Sequence, residues 1–165
     1  KGTNRSAFFR GEVDKYGWVD MGSSFLPSEI IAAFLWAQLE NMDKIQTKRK
    51  HIWQMYYDGL KEFAKKNDIS LPYIPDYATN NAHMFYMVCK DLAQRTKIIS
   101  YLKQNNILSV FHYLGLHKSP FYKDKHDGRE LKQCDRYADN LIRLPLYYEL
   151  TDDDVNLIID KIKEA

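Results

Sequence analysis

Cysteine is scarce in this 165-residue chain, and the two present, Cys89 and Cys134, form no spacing pattern. No disulfide framework is therefore expected, and a reducing cytoplasm is the expected compartment. No apolar run approaches the roughly 20 residues that a membrane-spanning helix needs. Neither charge sign dominates. The 24 Lys and Arg stand against 22 Asp and Glu, a net charge of +2, so nothing global draws the chain to nucleic acid or anionic lipid. Also absent are a CxxC pair, an HExxH helix, a serine elbow, a P-loop and a dinucleotide fingerprint, so no complete catalytic set is legible from motifs. The opening residues, Lys1-Gly2-Thr3-Asn4-Arg5, are polar where a secretory leader would turn apolar, so no leader is expected among them. Residue 1 is not Met, and the expectation is a piece of a longer enzyme.

What is present fits one folded domain. Hydrophobic residues make up 45% and charged residues 28%, a globular balance rather than a disordered one. Aromatics reach 14%, which calls for a dense core or a covered partner surface. Residues 1–27 have no sustained period and combine Gly2, Gly11, Gly17 and Gly22 with Phe8, Phe9, Tyr16, Trp18 and Phe25. This reads as an irregular arm whose aromatics something must cover.

From Ser28 the spacing of Ile31, Leu35, Met42, Ile45, Ile52, Tyr56, Leu60 and Phe63 predicts one long amphipathic helix, ending at Asn67-Asp68. Residues 82–89 read as a buried strand, 91–104 as a helix capped by Asp91, and 107–113 as a second strand. A polar loop, 114–134, precedes a short helix near 137–141. Arg143-Leu144-Pro145-Leu146 reads as an edge strand, because Pro cannot sit inside a sheet. Thr151 and Asp154 spell a capping box before a closing helix. The order predicts an α+β fold, with a sheet of about three strands covered by helices. Residues 28–165 then form a small domain that includes the long helix.

Several side chains invite a chemical reading. His112, His117, His126 and Cys134 are irregularly spaced, which argues against a metal site. His112 and His117 flank a strand end, where polar groups can face a cleft. His83, inside the apolar run, reads as a buried neutral imidazole. Ser23-Ser24 precede a helix and could hold a phosphate, although such pairs usually serve as caps. Lys48-Arg49-Lys50 reads as a solvated helix face, and Asp152, Asp153 and Asp154 as complements to a helix dipole.

Local strings add a further reading. Gly22-Ser23-Ser24-Phe25-Leu26-Pro27-Ser28-Glu29, Asn81-Ala82-His83-Met84-Phe85-Tyr86, Phe111-His112-Tyr113-Leu114-Gly115-Leu116-His117 and Arg143-Leu144-Pro145-Leu146 follow one another. Together they resemble the second half of the DegT/DnrJ/EryC1/StrS family of pyridoxal-phosphate sugar aminotransferases. The resemblance implies the C-terminal small domain of the type I aminotransferase fold, with a small antiparallel sheet packed against a long helix. It implies pyridoxal 5'-phosphate as cofactor, with the Schiff-base lysine ahead of residue 1 and no catalytic residue in this chain. None of the lysines present lies in an apolar sequence setting that would depress its pKa.

By the same resemblance, the parent moves an amino group from L-glutamate to C4 of a dTDP-4-keto-6-deoxyhexose. Its partners are its own large domain and a second subunit. Ser24 takes the place of an asparagine that reaches the partner subunit's cofactor phosphate, and Leu26 replaces an arginine. His112, Tyr113 and His117 match a His-Tyr-x-Pro-Leu-His string, with Gly115 for proline, and are expected to line the sugar-nucleotide cleft. The alternative is a non-catalytic interaction or regulatory module that keeps the small-domain fold.

Overall fold

The computed structural model describes residues 2–23 and 25–165. The chain divides into two compact units, residues 1–42 and 43–165. The division falls within the helical stretch rather than before it, at residue 27.

The first unit is partly ordered where the sequence suggests only an irregular arm. Helix α1 (Arg5–Phe9) is followed by a return that pairs Thr3 with Trp18 in an antiparallel bridge. Gly2 has φ +73°, and a Cβ there would lie 2.3 Å from the Asp20 carbonyl oxygen, so this close approach requires glycine. Helix α2 (Glu29–Glu40) starts at Ser28, whose hydroxyl accepts from the Ile31 N–H at 3.4 Å.

The predicted single helix is interrupted at Asn41. Its N–H turns back to the carbonyls of Gln38 and Leu39, and its side-chain amide donates to the Ala37 carbonyl at 2.9 Å. An Asn that satisfies the last carbonyls itself closes α2, and α3 (Met42–Lys66) begins immediately after it.

In the second unit, α3 buries Ile52, Trp53, Tyr56, Leu60 and Ala64 against the sheet and the C-terminal helix. The sheet has three antiparallel strands in the order β1 (Phe85–Val88), β3 (Leu141–Leu144), β2 (Val110–Phe111). Thus β3 is central, not an edge strand as the proline suggests. The ladder stops at Leu144, so Pro145 lies just outside it and removes no hydrogen bond from the sheet.

Helix α4 (Leu92–Gln104) is capped by Asp91, which accepts from the Gln94 N–H at 2.8 Å, and leaves through Asn106 at φ +60°. Helix α5 (Lys132–Asn140) runs directly into β3. Helix α6 (Asp152–Glu164) carries the complete Thr151/Asp154 capping box.

Several charged clusters prove structural. His51 and Lys48 donate to the Asp152 carboxylate and hold it below the usual carboxylate range. Arg49 Nε donates to the Ala82 carbonyl at 3.1 Å. His83 differs from expectation. It lies outside β1 and is exposed, with its Nδ1 2.8 Å from Asn81 Oδ1. Cys89 is buried at the end of β1, and burial pushes its thiol up to about 12. Among the described residues no helix is long and apolar enough to cross a membrane.

One polar contact ties α3 to the central strand. The fully buried Tyr56 hydroxyl donates to the Pro145 carbonyl at 2.9 Å, and burial raises its phenol above the ordinary value. Tyr56→Phe removes the donor and leaves that carbonyl without its partner. The expected cost is about 1–3 kcal/mol, read as a lower urea midpoint with an unchanged slope.

Candidate functional site

The polar loop between β2 and α5 is folded into two single 3-10 turns, Leu116–Lys118 and Lys123–Lys125. The first turn forms because the Lys118 N–H reaches the Gly115 carbonyl and the Ser119 N–H reaches that of Leu116, both at 3.0 Å. This turn points His117 inward, leaving its side chain 11% exposed.

His117 Nε2 lies 2.9 Å from Asp135 Oδ1, in the first turn of α5. A carboxylate only accepts, so Nε2 carries the proton and Nδ1 is left to face Cys134 Sγ at 3.9 Å. Lys118 Nζ lies 2.7 Å from the same Asp135 oxygen. The hydrogen bond from Lys118, joined by that from His117, holds the Asp135 carboxyl below the usual range.

A cavity of about 300 Å³ opens beside this cluster, lined by His117, Tyr122, Lys125, His126, Arg129 and Cys134 among others. The His126 ring sits 5.4 Å from that of His117, and its Nδ1 accepts from the Gly128 N–H at 3.1 Å. Lys125 Nζ rests 3.5 Å from the centre of the Phe121 ring. Two permanent cations, two imidazoles and a phenol suit a ligand that carries hydroxyls and negative charge.

The structure places the predicted residues unequally. His117 lines this cavity. His112 is half-buried one residue past β2, its Nδ1 buried without a hydrogen-bond partner, and it is not part of the cavity lining. Tyr113 is 76% exposed and meets His112 edge-on at 5.1 Å. Ser24 lies outside the described residues. Among the described residues no group of three His, Cys, Asp or Glu side chains is arranged to hold a metal.

Asp135, Lys125 and Arg129 carry much of this site and were not singled out from sequence. The only available signal was an acid in the first turn of a helix, directly after Cys134. Gly115 has a steric role. A Cβ there would stand 2.6 Å from His117 Cε1 and 3.2 Å from Cys134 Sγ.

A family model, the DegT/DnrJ/EryC1/StrS aminotransferase family, matches residues 2–163. The chain belongs to this family. The spore coat polysaccharide biosynthesis protein SpsC of Bacillus subtilis is 23% identical over 77% of this chain and 33% of its own length. An uncharacterised protein of Methanocaldococcus jannaschii is 25% identical over 90% of this chain and 39% of its own length. The chain therefore spans well under half the length of these relatives.

Among solved structures, the sugar aminotransferase CalS13 of Micromonospora echinospora superposes with a TM-score of 0.79 at 21% identity, over 99% of this chain and 42% of CalS13. The pyridoxal-phosphate form of a sugar aminotransferase, Spr1654 of Streptococcus pneumoniae, superposes at 0.72 and 23% identity, over 93% of this chain and 39% of Spr1654. The α+β fold is thus that of the C-terminal small domain of the pyridoxal-phosphate-dependent aminotransferases, and pyridoxal phosphate is the family's cofactor.

Such a cofactor requires a desolvated lysine amine. Among the described residues no lysine is buried. These residues do not by themselves form a pocket that fits the cofactor's reactive end. What they do form is a cavity beside the His117–Asp135 pair, with Gly115 leaving room for the His117 ring.

Gly115→Ala is expected to displace the His117 ring and cost about 1–3 kcal/mol. The measurement is denaturant unfolding together with loss of the protected imidazole N–H signal of His117. Asp135→Asn should leave the overall fold intact while accelerating amide exchange across the 116–123 turns. In the native chain the depressed Asp135 pKa makes the cluster stabilising above the ordinary carboxylate value. That contribution fades as pH falls through the depressed value, so acid should accelerate the same amides.

Proposed function

We propose that this chain is the small-domain portion of a cytoplasmic sugar-nucleotide aminotransferase. The enzyme moves an amino group from L-glutamate to C4 of a dTDP-4-keto-6-deoxyhexose for cell-surface polysaccharide such as lipopolysaccharide. Within the family, a dTDP-4-amino-4,6-dideoxygalactose transaminase is the proposed identity of the parent.

The observation that carries this reading is the family match across residues 2–163. The polysaccharide role of SpsC and the cationic cavity at His117 support it. The cavity's mix of Lys125, Arg129 and imidazoles suits a sugar diphosphate, with His117, and His112 and Tyr113 beside it, as the substrate-facing residues. Ser24 is proposed to reach the cofactor phosphate of a second subunit.

The Schiff-base lysine is proposed to lie in a large domain outside this chain, which the exposure of the lysines here supports. The apolar side chains of α2 support a covering partner: Ile30, Ile31, Phe34, Leu35, Trp36 and Leu39 are all exposed. We propose that the parent's large domain and a second subunit cover this surface.

The test is transamination of dTDP-4-keto-6-deoxyglucose by the product of the complete coding sequence, with glutamate and pyridoxal phosphate. Amino sugar should form, and formation should fall on the order of tenfold or more in His117→Ala. The 165-residue chain alone should give no turnover. Turnover by this chain alone, or none by the complete product, would overturn the reading.

A further inference from the structure

The His117–Asp135 pair has a third member. Cys134 is the third residue of α5, it is exposed, and its Sγ lies 3.9 Å from His117 Nδ1. With Nε2–H donating to Asp135 at 2.9 Å, Nδ1 presents its lone pair to the sulfur. Lys118 Nζ, 2.7 Å from the same Asp135 oxygen, helps to keep that group a carboxylate. A nucleophile, a base near its proton and a carboxylate that orients the base form one connected chain. The sulfur also stands in the first turn of α5, where the positive helix end stabilises developing negative charge. Cys89, by contrast, is buried and has no access to a reactant.

The cavity beside the sulfur indicates what the thiol can meet. Cys134 shares its wall with Lys125 and Arg129, and no carboxylate is among the lining residues. His126, on the same wall, has a donor in want of an acceptor. Its Nδ1 accepts from the Gly128 N–H at 3.1 Å, so Nε2 carries the proton of the neutral ring. That Nε2 is buried without a hydrogen-bond partner, and Asp127 Oδ1, at 3.6 Å, is beyond reach. Two permanent cations and an unpaired N–H suit a reactant that carries carboxylates.

We infer that Cys134, with His117 as its base, is a thiol-exchange site for small disulfides that bear carboxylates. His117 Nδ1 accepts the Sγ proton, and the sulfur attacks one sulfur of the disulfide. The new bond to Sγ forms as the old S–S bond breaks. The departing thiolate takes the proton back from His117 and leaves as a thiol. Cys134 is thereby oxidised to a mixed disulfide and one half of the small disulfide is reduced, so no further oxidant is required. Asp135 is a positioning residue that holds the tautomer and direction of the ring. The site rests on side-chain geometry and does not depend on the sugar-nucleotide reading.

The experiment exposes the 165-residue chain to oxidised glutathione, hydroxyethyl disulfide or cystamine, and follows the mass and position of the adduct. Each rate is divided by that of the same disulfide with the urea-unfolded chain, which removes differences in intrinsic reactivity. At neutral pH the adduct should form at Cys134 and not at Cys89, on the order of tenfold faster in the folded chain. The folding advantage should be greatest for oxidised glutathione and least for cystamine, a dication. His117→Gln, with amide dispersion confirming its fold, should lose that advantage on the order of tenfold at neutral pH. The deficit should shrink at high pH, where thiols ionise without a base, and Asp135→Asn should show a smaller deficit with the same pH dependence. No advantage over the unfolded chain, cystamine favoured as strongly as oxidised glutathione, or a His117→Gln deficit that persists at high pH would each overturn the site.

Discussion

Leu141–Leu144 pairs with both neighbouring strands, and the second unit is organised around that fact. Neither β1 nor β2 touches the other, so each belongs to a sheet only through β3. A two-residue β2 would not persist as a lone hairpin arm in water. Three of the four residues of β3 are buried, and Ile142 is fully so. Hydrophobic burial of this strand therefore fixes the register of the whole ladder. The Tyr56 hydroxyl on the Pro145 carbonyl then locks the long helix to the point where the ladder ends.

The His117 cavity inherits its geometry from the same strand. Helix α5 passes into β3 without a connecting loop, so the position of β3 sets that of Asp135. The junction is held through its backbone carbonyls. The Cys89 N–H donates to the Asn140 carbonyl at 2.9 Å, and Arg95 Nε holds the carbonyl of Asp139. A carboxylate fixed in this way can orient the His117 ring from across the loop, where the turn at Leu116–Lys118 alone could not. Gly115 supplies the remaining condition, by leaving the volume that the ring and the Cys134 thiol occupy.

Features governed by neighbours in sequence were legible without the structure. The Asp91 cap and the Thr151 capping box each depend on a few adjacent residues. Where tertiary contacts decided, reading the sequence failed. Pro145 argued for an edge strand because proline is excluded from ladders. It could not reveal that the ladder stops one residue short and leaves β3 central. The apolar period running through Met42 concealed the stop at Asn41, whose side chain competes for helix carbonyls. His117 could be marked as cleft-facing from its string, but its partner Asp135 is 18 residues away, and only the fold brings the two together.

Burial is distributed very unevenly between the two units, and the difference bears on what each can do alone. Every residue of the buried apolar core belongs to residues 52–162, whereas α2 buries none of its side chains. An exposed helix of sequence EIIAAFLWAQLE gains no stabilisation from water on any face. Exposed helices this short are marginal without packing. Helix α2 thus leaves its apolar side chains uncovered, while the second unit has a core of its own. Aromatics scarcely covered in one unit and densely packed around Tyr56 and Phe85 in the other are two uses of the same composition. The overall aromatic share could not distinguish them, because it records how many rings there are and not which of them have neighbours.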